Sequence, residues 1–400
     1  MKEKTAQKKL GKLQRLACIS VTGAMQSTPS AALNALMNQL PLHQFVELQA
    51  WKSALLMNRS RKIQEKDMMG HLAVLKTFSL NPVLNSITDW MMTKANYEIP
   101  YKVVVPSRQI WERGGPNLRS GSIVFYTDGS KMNNNTGAGV FGPGINKSVP
   151  MGQYPTVFQA EINAIIECAS ICLKRKYRFA NICIFSDSLA ALNALKGLTC
   201  QSKLVWECIL LLKQVSQKNE IILYWVPGHS GIEGNEKADS LARLGSEAAF
   251  LGPEPFCGIP DCSLKTALGR WENLKVHSNW NDTETCRQAK KFIFPSEIVT
   301  RNLFKLDKKN LRVITGLLTG HCPSNYHLGK MGKVQDMLCR FCHLEQETSE
   351  HLLCDCVALL GRRNQFLGKG LLQPFEIWQL SPSRVTDFIR QVEPNWDIVQ

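Results

Sequence analysis

No stretch of these 400 residues is apolar for long enough to cross a bilayer. The longest aliphatic run, Cys208 to Leu212 (CILLL), is closed off by Glu207 and Lys213, far short of the ~20 apolar residues a membrane span requires. The opening residues, MKEKTAQKKLGKLQRL, carry positive charge with no apolar segment behind it, so they do not read as a secretory signal. The expectation is an intracellular protein, nuclear or cytoplasmic and not secreted, with no membrane partner. Internal repeats and extended low-complexity tracts are absent too, which excludes solenoid and fibrous architectures. Acidic residues are in short supply, 33 against 48 Lys and Arg, for a net charge of +15. Cysteine is not scarce. Without an export signal its 14 copies read as reduced thiols or metal ligands, not as a disulfide framework.

An apolar content of 44% with 20% charged residues is that of a globular chain, and 400 residues leave room for two or three cores. The basic surplus is concentrated at the front. Residues 1–120 carry 17 Lys and Arg against 7 Asp and Glu, residues 121–250 carry 12 against 10, and residues 251–400 carry 19 against 16. A polyanion such as nucleic acid suits that front segment, and so does a plain solvated basic face.

The pattern changes along the chain in step with the charge. Residues 1–120 read as a helical, basic segment. In TPSAALNALMNQL, Thr28 is the expected N-cap and Pro29 the first helical residue, with Leu33, Leu36, Met37 and Leu40 at helical spacing. Leu42 to Asn58 continues in the same style, and Asn96 to Ser122, rich in Pro, Gly and Arg, reads as a linker or extended segment. Residues 121–248 follow another pattern, in the order βββ-α-β-α-β-α, which predicts an α/β domain with a mixed five-stranded sheet flanked by helices. Residues 249–400 form a third region whose sharp feature is CRFCHLEQETSEHLLCDC.

Four acids of the middle region stand where packing gives them no reason to be. Asp128 ends the buried strand IVFYT, and Asp187 ends the buried strand ANICIFS. Glu161 lies early in the helix TVFQAEINAIIECAS beside its apolar stripe, and Asp239 lies between Ala238 and Leu241 on the last helix. Each alone can be a turn residue, a helix-dipole acid or part of a solvated face. Converging at one end of a sheet they would repel, and a divalent cation is the usual remedy. An all-oxygen donor set favours Mg²⁺ or Mn²⁺ over zinc.

YTDGS, the helical Glu161, FSDS and WVPGHSGIEGNEKADSLA occur in that order and together resemble type 1 ribonuclease H over about 125 residues. The resemblance implies a ribonuclease H-like fold and endonucleolytic hydrolysis of the RNA strand of RNA–DNA hybrids. It makes Asp128, Glu161, Asp187 and Asp239 the metal-binding acids, His229 the mobile histidine near the leaving side, and Asn235 and Ser130 substrate contacts. Two Mg²⁺ ions about 4 Å apart, with Mn²⁺ as a substitute, would activate a water and stabilise the leaving oxygen. The 42 residues from Asp187 to His229 leave no room for the inserted basic handle of some bacterial members.

In the third region Cys339-x₂-Cys342, then His351, then Cys356, matches the ligand types and spacing of a CCHC zinc site at 339–356. Cys354 competes for the fourth position. Cys356 is preferred because four intervening residues give the chain room to wrap. The flanks resemble an arthropod non-LTR retrotransposon polyprotein: the N-terminal segment resembles the stretch after its polymerase core, and Arg312 to Cys356 its zinc-bearing tail. No Tyr-x-Asp-Asp polymerase motif occurs, so any reverse transcriptase core would be a partner. A hybrid-specific ribonuclease is the expectation. The alternative is a non-catalytic nucleic-acid-binding remnant, which should lack at least one of the acids, and none is missing.

Overall fold

The computed structural model describes residues 4–59, 87–394 and 396. The end of the expected N-terminal helical segment, residues 60–86, lies outside the described residues. The chain divides into two compact units, Trp51–Leu268 and a discontinuous one made of Met1–Ala50 with Gly269–Gln400. The expected segment 1–120 therefore does not stay together. Its first part buries Ala32, Ala35 and Leu36 in one core with Leu311, Ile314 and Leu317, while its last part joins the sheet.

Eight strands occur among the described residues: β1 (Trp90–Ala95), β2 (Lys102–Val104), β3 (Ile123–Met132), β4 (Asn135–Gly142), β5 (Ile145–Gly152), β6 (Asn181–Ser186), β7 (Thr199–Ser202) and β8 (Glu220–Trp225). β1 and β7 form a two-stranded antiparallel ribbon. The main sheet runs β2-β8-β6-β3-β4-β5. The meander β3-β4-β5 is antiparallel and β3, β6, β8 and β2 are parallel. It is a mixed sheet of six strands, not the expected five. The extra strand is β2, three residues between Pro100 and Pro106 in the segment expected to be a linker. So short a strand is tolerated at a sheet edge.

Two helices position the end of this sheet. The central helix, Val157–Lys174, starts in a capping box: Thr156 accepts from Gln159 N and Gln159 bonds back to Thr156 N. It is buried on most sides, with Ala160, Ile162, Ile165, Cys168, Ala169 and Cys172 all enclosed. The closing helix, Glu233–Glu247, lies on β3, β4 and β5. On the same sheet face as the closing helix, Tyr126, Phe185 and Tyr224 stack across β3, β6 and β8 at 5.1 Å spacing. Trp111, from the short helix Arg108–Glu112, packs edge-on to Phe185 at 5.8 Å.

The discontinuous unit is helical. Helices Lys4–Thr22 and Ser30–Leu36 share it with Lys308–Thr319, Leu360–Leu367 and Pro382–Val392. Helix Ser30–Leu36 begins one residue later than expected, because Pro29 keeps an extended ψ of 140° and takes the cap position itself. Among the described residues no helix is long and apolar enough to cross a membrane.

The closing helix reaches its position because β4 has glycine beneath it. A Cβ on Gly139 would stand 2.2 Å from Ala238 O and 2.5 Å from Ala242 N, both backbone atoms. Gly139→Ala should cost about 2 kcal/mol or more, since the backbone cannot yield as a side chain can. Gly361→Ala, on an open helix surface where an added Cβ meets nothing within 4 Å, should be neutral or gain up to ~1 kcal/mol. Denaturant midpoints of the two variants test this, and equal midpoints would refute the close-packing account.

Candidate active site

Strand register brings the first two acids together. Thr127 of β3 pairs with Ser186 of β6 in the parallel ladder, so Asp128 and Asp187 are the next residues on adjacent strands. Glu161 comes from the central helix, which approaches β3 at Gly129. A Cβ on Gly129 would lie 2.5 Å from Glu161 N, so glycine is the residue that lets helix and strand meet there. The three carboxylates offer oxygens that all lie within 4.8 Å of one another. Asp128 is 6% exposed and Glu161 5%.

Asp239 projects from the closing helix within hydrogen-bonding reach of Asp128. It also groups with His229 and Glu236, whose ligand atoms lie within 4.8 Å of each other and of its own. His229 is exposed on the turn before that helix, in a left-handed conformation at φ +51°. Ser130, Lys131 and Arg243 line the same open cleft of about 420 Å³ as the four acids and His229. Asn235 is 2% exposed. It does not line the cleft but stands behind it, its side-chain amide hydrogen-bonded to Asp187. Three residues near the acids escaped the sequence reading: Lys131 and Arg243, which line the cleft, and Glu236, which groups with His229 and Asp239. Helix arithmetic points to two of them, since Glu236 and Arg243 lie three before and four after Asp239, on one face.

The electrostatics follow from crowding. Burial, then the nearby charges of Asp187 and Asp239, push the Asp128 carboxyl up to about 7. Burial, followed by Asp128 and Asp187, raises Glu161 well above the usual range. Burial raises Asp187 as well, opposed by the Asn235 hydrogen bond and by His229. Glu161 Oε2 is buried and has no hydrogen-bond partner, an expensive arrangement for a carboxylate oxygen. The donor set is all oxygen, crowded and short of partners, and it fits a hard divalent cation.

A second cluster lies in the discontinuous unit. Cys339, Cys342, His351 and Cys356 have ligand atoms within 4.8 Å of each other. Cys339 Sγ is 3.8 Å from Cys356 Sγ, and Cys342 Sγ is 3.2 Å from His351 Nε2. Zn–S bonds of about 2.3 Å in a tetrahedron put sulfurs about 3.8 Å apart, so these residues fit zinc. Burial raises the Cys342 thiol, but the backbone amides of Leu344 and Glu345 and the His351 ring outweigh it and bring it down to about 6. Glu345 Oε2 stands 3.3 Å from His351 Nδ1, where an outer partner of a ligand histidine belongs. Arg340 clasps the fully buried Glu347 with bonds of 2.7 to 3.1 Å. The buried Arg363 donates to Cys356 O at 2.6 Å. Cys354 is outside the four-residue group. It is buried among apolar residues, which pushes its thiol up to about 12.

Two outcomes are expected. Between about pH 4 and pH 7 folded Asp128 keeps a proton that the unfolded chain has released. Raising the pH through that window therefore weakens the metal-free fold. In chelated buffer Asp128→Asn should melt higher than the native protein at pH 8 and close to it at pH 4, and Mg²⁺ should stabilise the native protein alone. A melting difference that ignores both pH and Mg²⁺ would contradict this. For the sulfur cluster, elemental analysis under reducing conditions should find about one zinc per chain, lost in Cys356→Ser and kept in Cys354→Ser. Zinc-free protein, or the reverse pattern, would overturn the assignment.

Residues 120–247 match the RNase H family model. Over 146 residues the chain is 30% identical to rat Ribonuclease H1, covering 32% of this chain and 50% of the relative. It is 29% identical to the mouse Ribonuclease H1 over 146 residues, covering 32% of this chain and 50% of the relative. The figures for human Ribonuclease H1 are 30% over 145 residues, 31% of this chain and 50% of the relative. The chain spans about half the length of these curated relatives. Strands β3, β4, β5, β6 and β8 of the main sheet, with Asp128 within β3 and Asp187 just past the end of β6, thus lie inside residues 120–247, the segment that matches the RNase H family.

Proposed function

We propose that this chain cleaves the RNA strand of RNA–DNA hybrids endonucleolytically, with Mg²⁺, replaceable by Mn²⁺, held by Asp128, Glu161, Asp187 and Asp239. The observation that carries the reading is the trio of buried Asp128, buried Glu161 and half-buried Asp187, in which one Glu161 oxygen lacks a hydrogen-bond partner. Two ions there supply water activation and charge stabilisation for an in-line displacement at phosphorus. Asp128, in reach of Glu161 and Asp187 on one side and of Asp239 on the other, would be the shared ligand, with Glu161 and Asp187 holding one ion and Asp239 the other. Asn235 fixes the Asp187 carboxylate by its hydrogen bond. His229, exposed at the cleft rim, moves a proton at the leaving oxygen. Ser130, which lines the cleft, is the substrate contact in this reading, whereas Asn235, expected as a second contact, is buried behind the cleft and acts through Asp187. Selectivity for a hybrid comes from 2′-hydroxyls and groove shape, so cleavage is independent of base sequence.

The remainder of the chain serves substrate holding. Lys4, Lys8, Lys9 and Lys12 are exposed on one N-terminal helix and suit a phosphate backbone. The CCHC cluster is a structural zinc site in the same unit. With these flanks the chain is read as part of a non-LTR retrotransposon polyprotein of arthropod type, acting beside a reverse transcriptase core.

The test is cleavage of a labelled RNA–DNA duplex by the full chain with Mg²⁺. Native protein should cut the RNA strand alone. Asp128→Asn and Asp187→Asn should fall to background while circular dichroism shows an intact fold. Equal cutting by the variants would refute the metal roles. A folded native chain that binds hybrid without cutting it would favour the non-catalytic alternative.

A further inference from the structure

One of the four acids already has a counter-ion. Arg243 grips Asp239 as a fork, with Nε donating to Oδ1 at 3.0 Å and Nη2 to Oδ2 at 2.7 Å. The pair lies four residues apart on the closing helix, acid first, the favourable order for such a bond. Both oxygens of Asp239 are therefore engaged, whereas Asp128, Glu161 and Asp187 form no salt bridge to lysine or arginine among the described residues. Lys131, the other cation at the cleft, directs its ammonium to the carbonyls of Gln153 and Pro155 at 2.9 and 2.7 Å.

We infer that Arg243 is the internal counter-ion of Asp239 and sets how tightly the cation on that side is held. This rests on the reading of the four acids as metal ligands. A cation approaching Asp239 competes with a bidentate, charge-assisted bond, while one approaching the trio displaces no cationic side chain. The two sides of the site are thereby made unequal. The exchange is feasible because the Arg243 side chain is 51% exposed and that of Asp239 only 15%. The guanidinium can swing into water while the carboxylate stays in place. Arg243 is thus a positioning residue that keeps Asp239 neutralised and oriented until the cation arrives.

The test needs no turnover. Metal-free full-length protein is titrated with Mn²⁺ in the absence of nucleic acid, and free Mn²⁺ is followed by electron paramagnetic resonance. The native protein should show a tighter and a weaker binding step. In Arg243→Gln the weaker step should tighten about fivefold, the scale of a half-exposed ion pair, with the tighter step changed less than about twofold. Glutamine is a good helix former at this exposed position. Lys237→Gln serves as the control for general charge loss, since Lys237 lies on the same helix but pairs with Glu233. It should move neither step by more than about twofold. Equal shifts in Arg243→Gln and Lys237→Gln, or a weaker step that Arg243→Gln leaves unchanged, would overturn the counter-ion role while the metal site stands. No Mn²⁺ bound by native protein, with Asp128→Asn indistinguishable from it, would sink the metal reading and this inference with it.

Discussion

Carboxylates repel, and Asp128, Glu161 and Asp187 are held within one small volume by two strands and a helix that cannot move apart. β3 and β6 are locked side by side by their parallel ladder, the central helix is fixed at its start by the Thr156–Gln159 box, and Gly129 removes the spacer that would hold strand and helix apart. A register slip of one residue would turn Asp128 to the opposite face. Without a cation the remaining way to relieve the repulsion is protonation, and the raised Asp128 and Glu161 carboxyls show that response. The fold thus spends stability on preorganising acids that the core itself does not use.

The sulfur cluster meets a similar problem with different chemistry. Its donors are soft and the carboxylate site's are hard, so the two should not compete for one metal. Its loops are braced from outside by charged side chains. Glu347, 0% exposed, accepts from Asn325 N and Arg340 N as well as from the Arg340 guanidinium. Arg363, also 0% exposed, satisfies the carbonyls of Leu352, Cys356 and Gly370. A buried guanidinium without a carboxylate partner is costly unless such carbonyls surround it. The bracing orders the backbone from which Cys339 and Cys356 project.

What could be read in the sequence was local. The capped central helix, the two buried strands ending in acids, and the closing motif from Gly228 to Asp239 each carry their signal within a few residues. What escaped depends on distant pairing. β2 is three residues long, and only its partner Ile222–Tyr224 makes it a strand. β7 pairs with a strand more than a hundred residues earlier. The union of residues 1–50 with 269–400 leaves no periodicity in either part. Arg243 and Glu236 are legible by helical spacing, four after and three before Asp239. The preference for Cys356 over Cys354 rested on spacing alone, and a turn at His351–Asp355 with π-type bonding is what brings Cys356 Sγ to 3.8 Å from Cys339 Sγ.

Those distant pairings extend the unit that frames the acids beyond the matched segment 120–247. Asp89 accepts from Leu204 N at 3.0 Å and from Ser202 Oγ at 2.6 Å, so a residue thirty positions before the segment caps the helix Lys203–Ser216. Tyr101 is 4% exposed, and its hydroxyl donates to Leu195 O at 2.9 Å. On the sheet face that carries the closing helix, Trp111 covers Phe185, two residues before Asp187. Beyond the segment's end, Gly258 O receives Gln159 of the capping box at 2.8 Å, and Ile259 bridges back to Thr88. Gln159 starts the helix that carries Glu161, and Phe185 lies on the strand that leads to Asp187. Cutting the chain at 120 and 247 would strip these supports and leave the buried carboxylates to be held by a looser frame. The chain from Thr88 to Ile259 keeps every one of these contacts, and a piece cut at 120 and 247 keeps none of them whole.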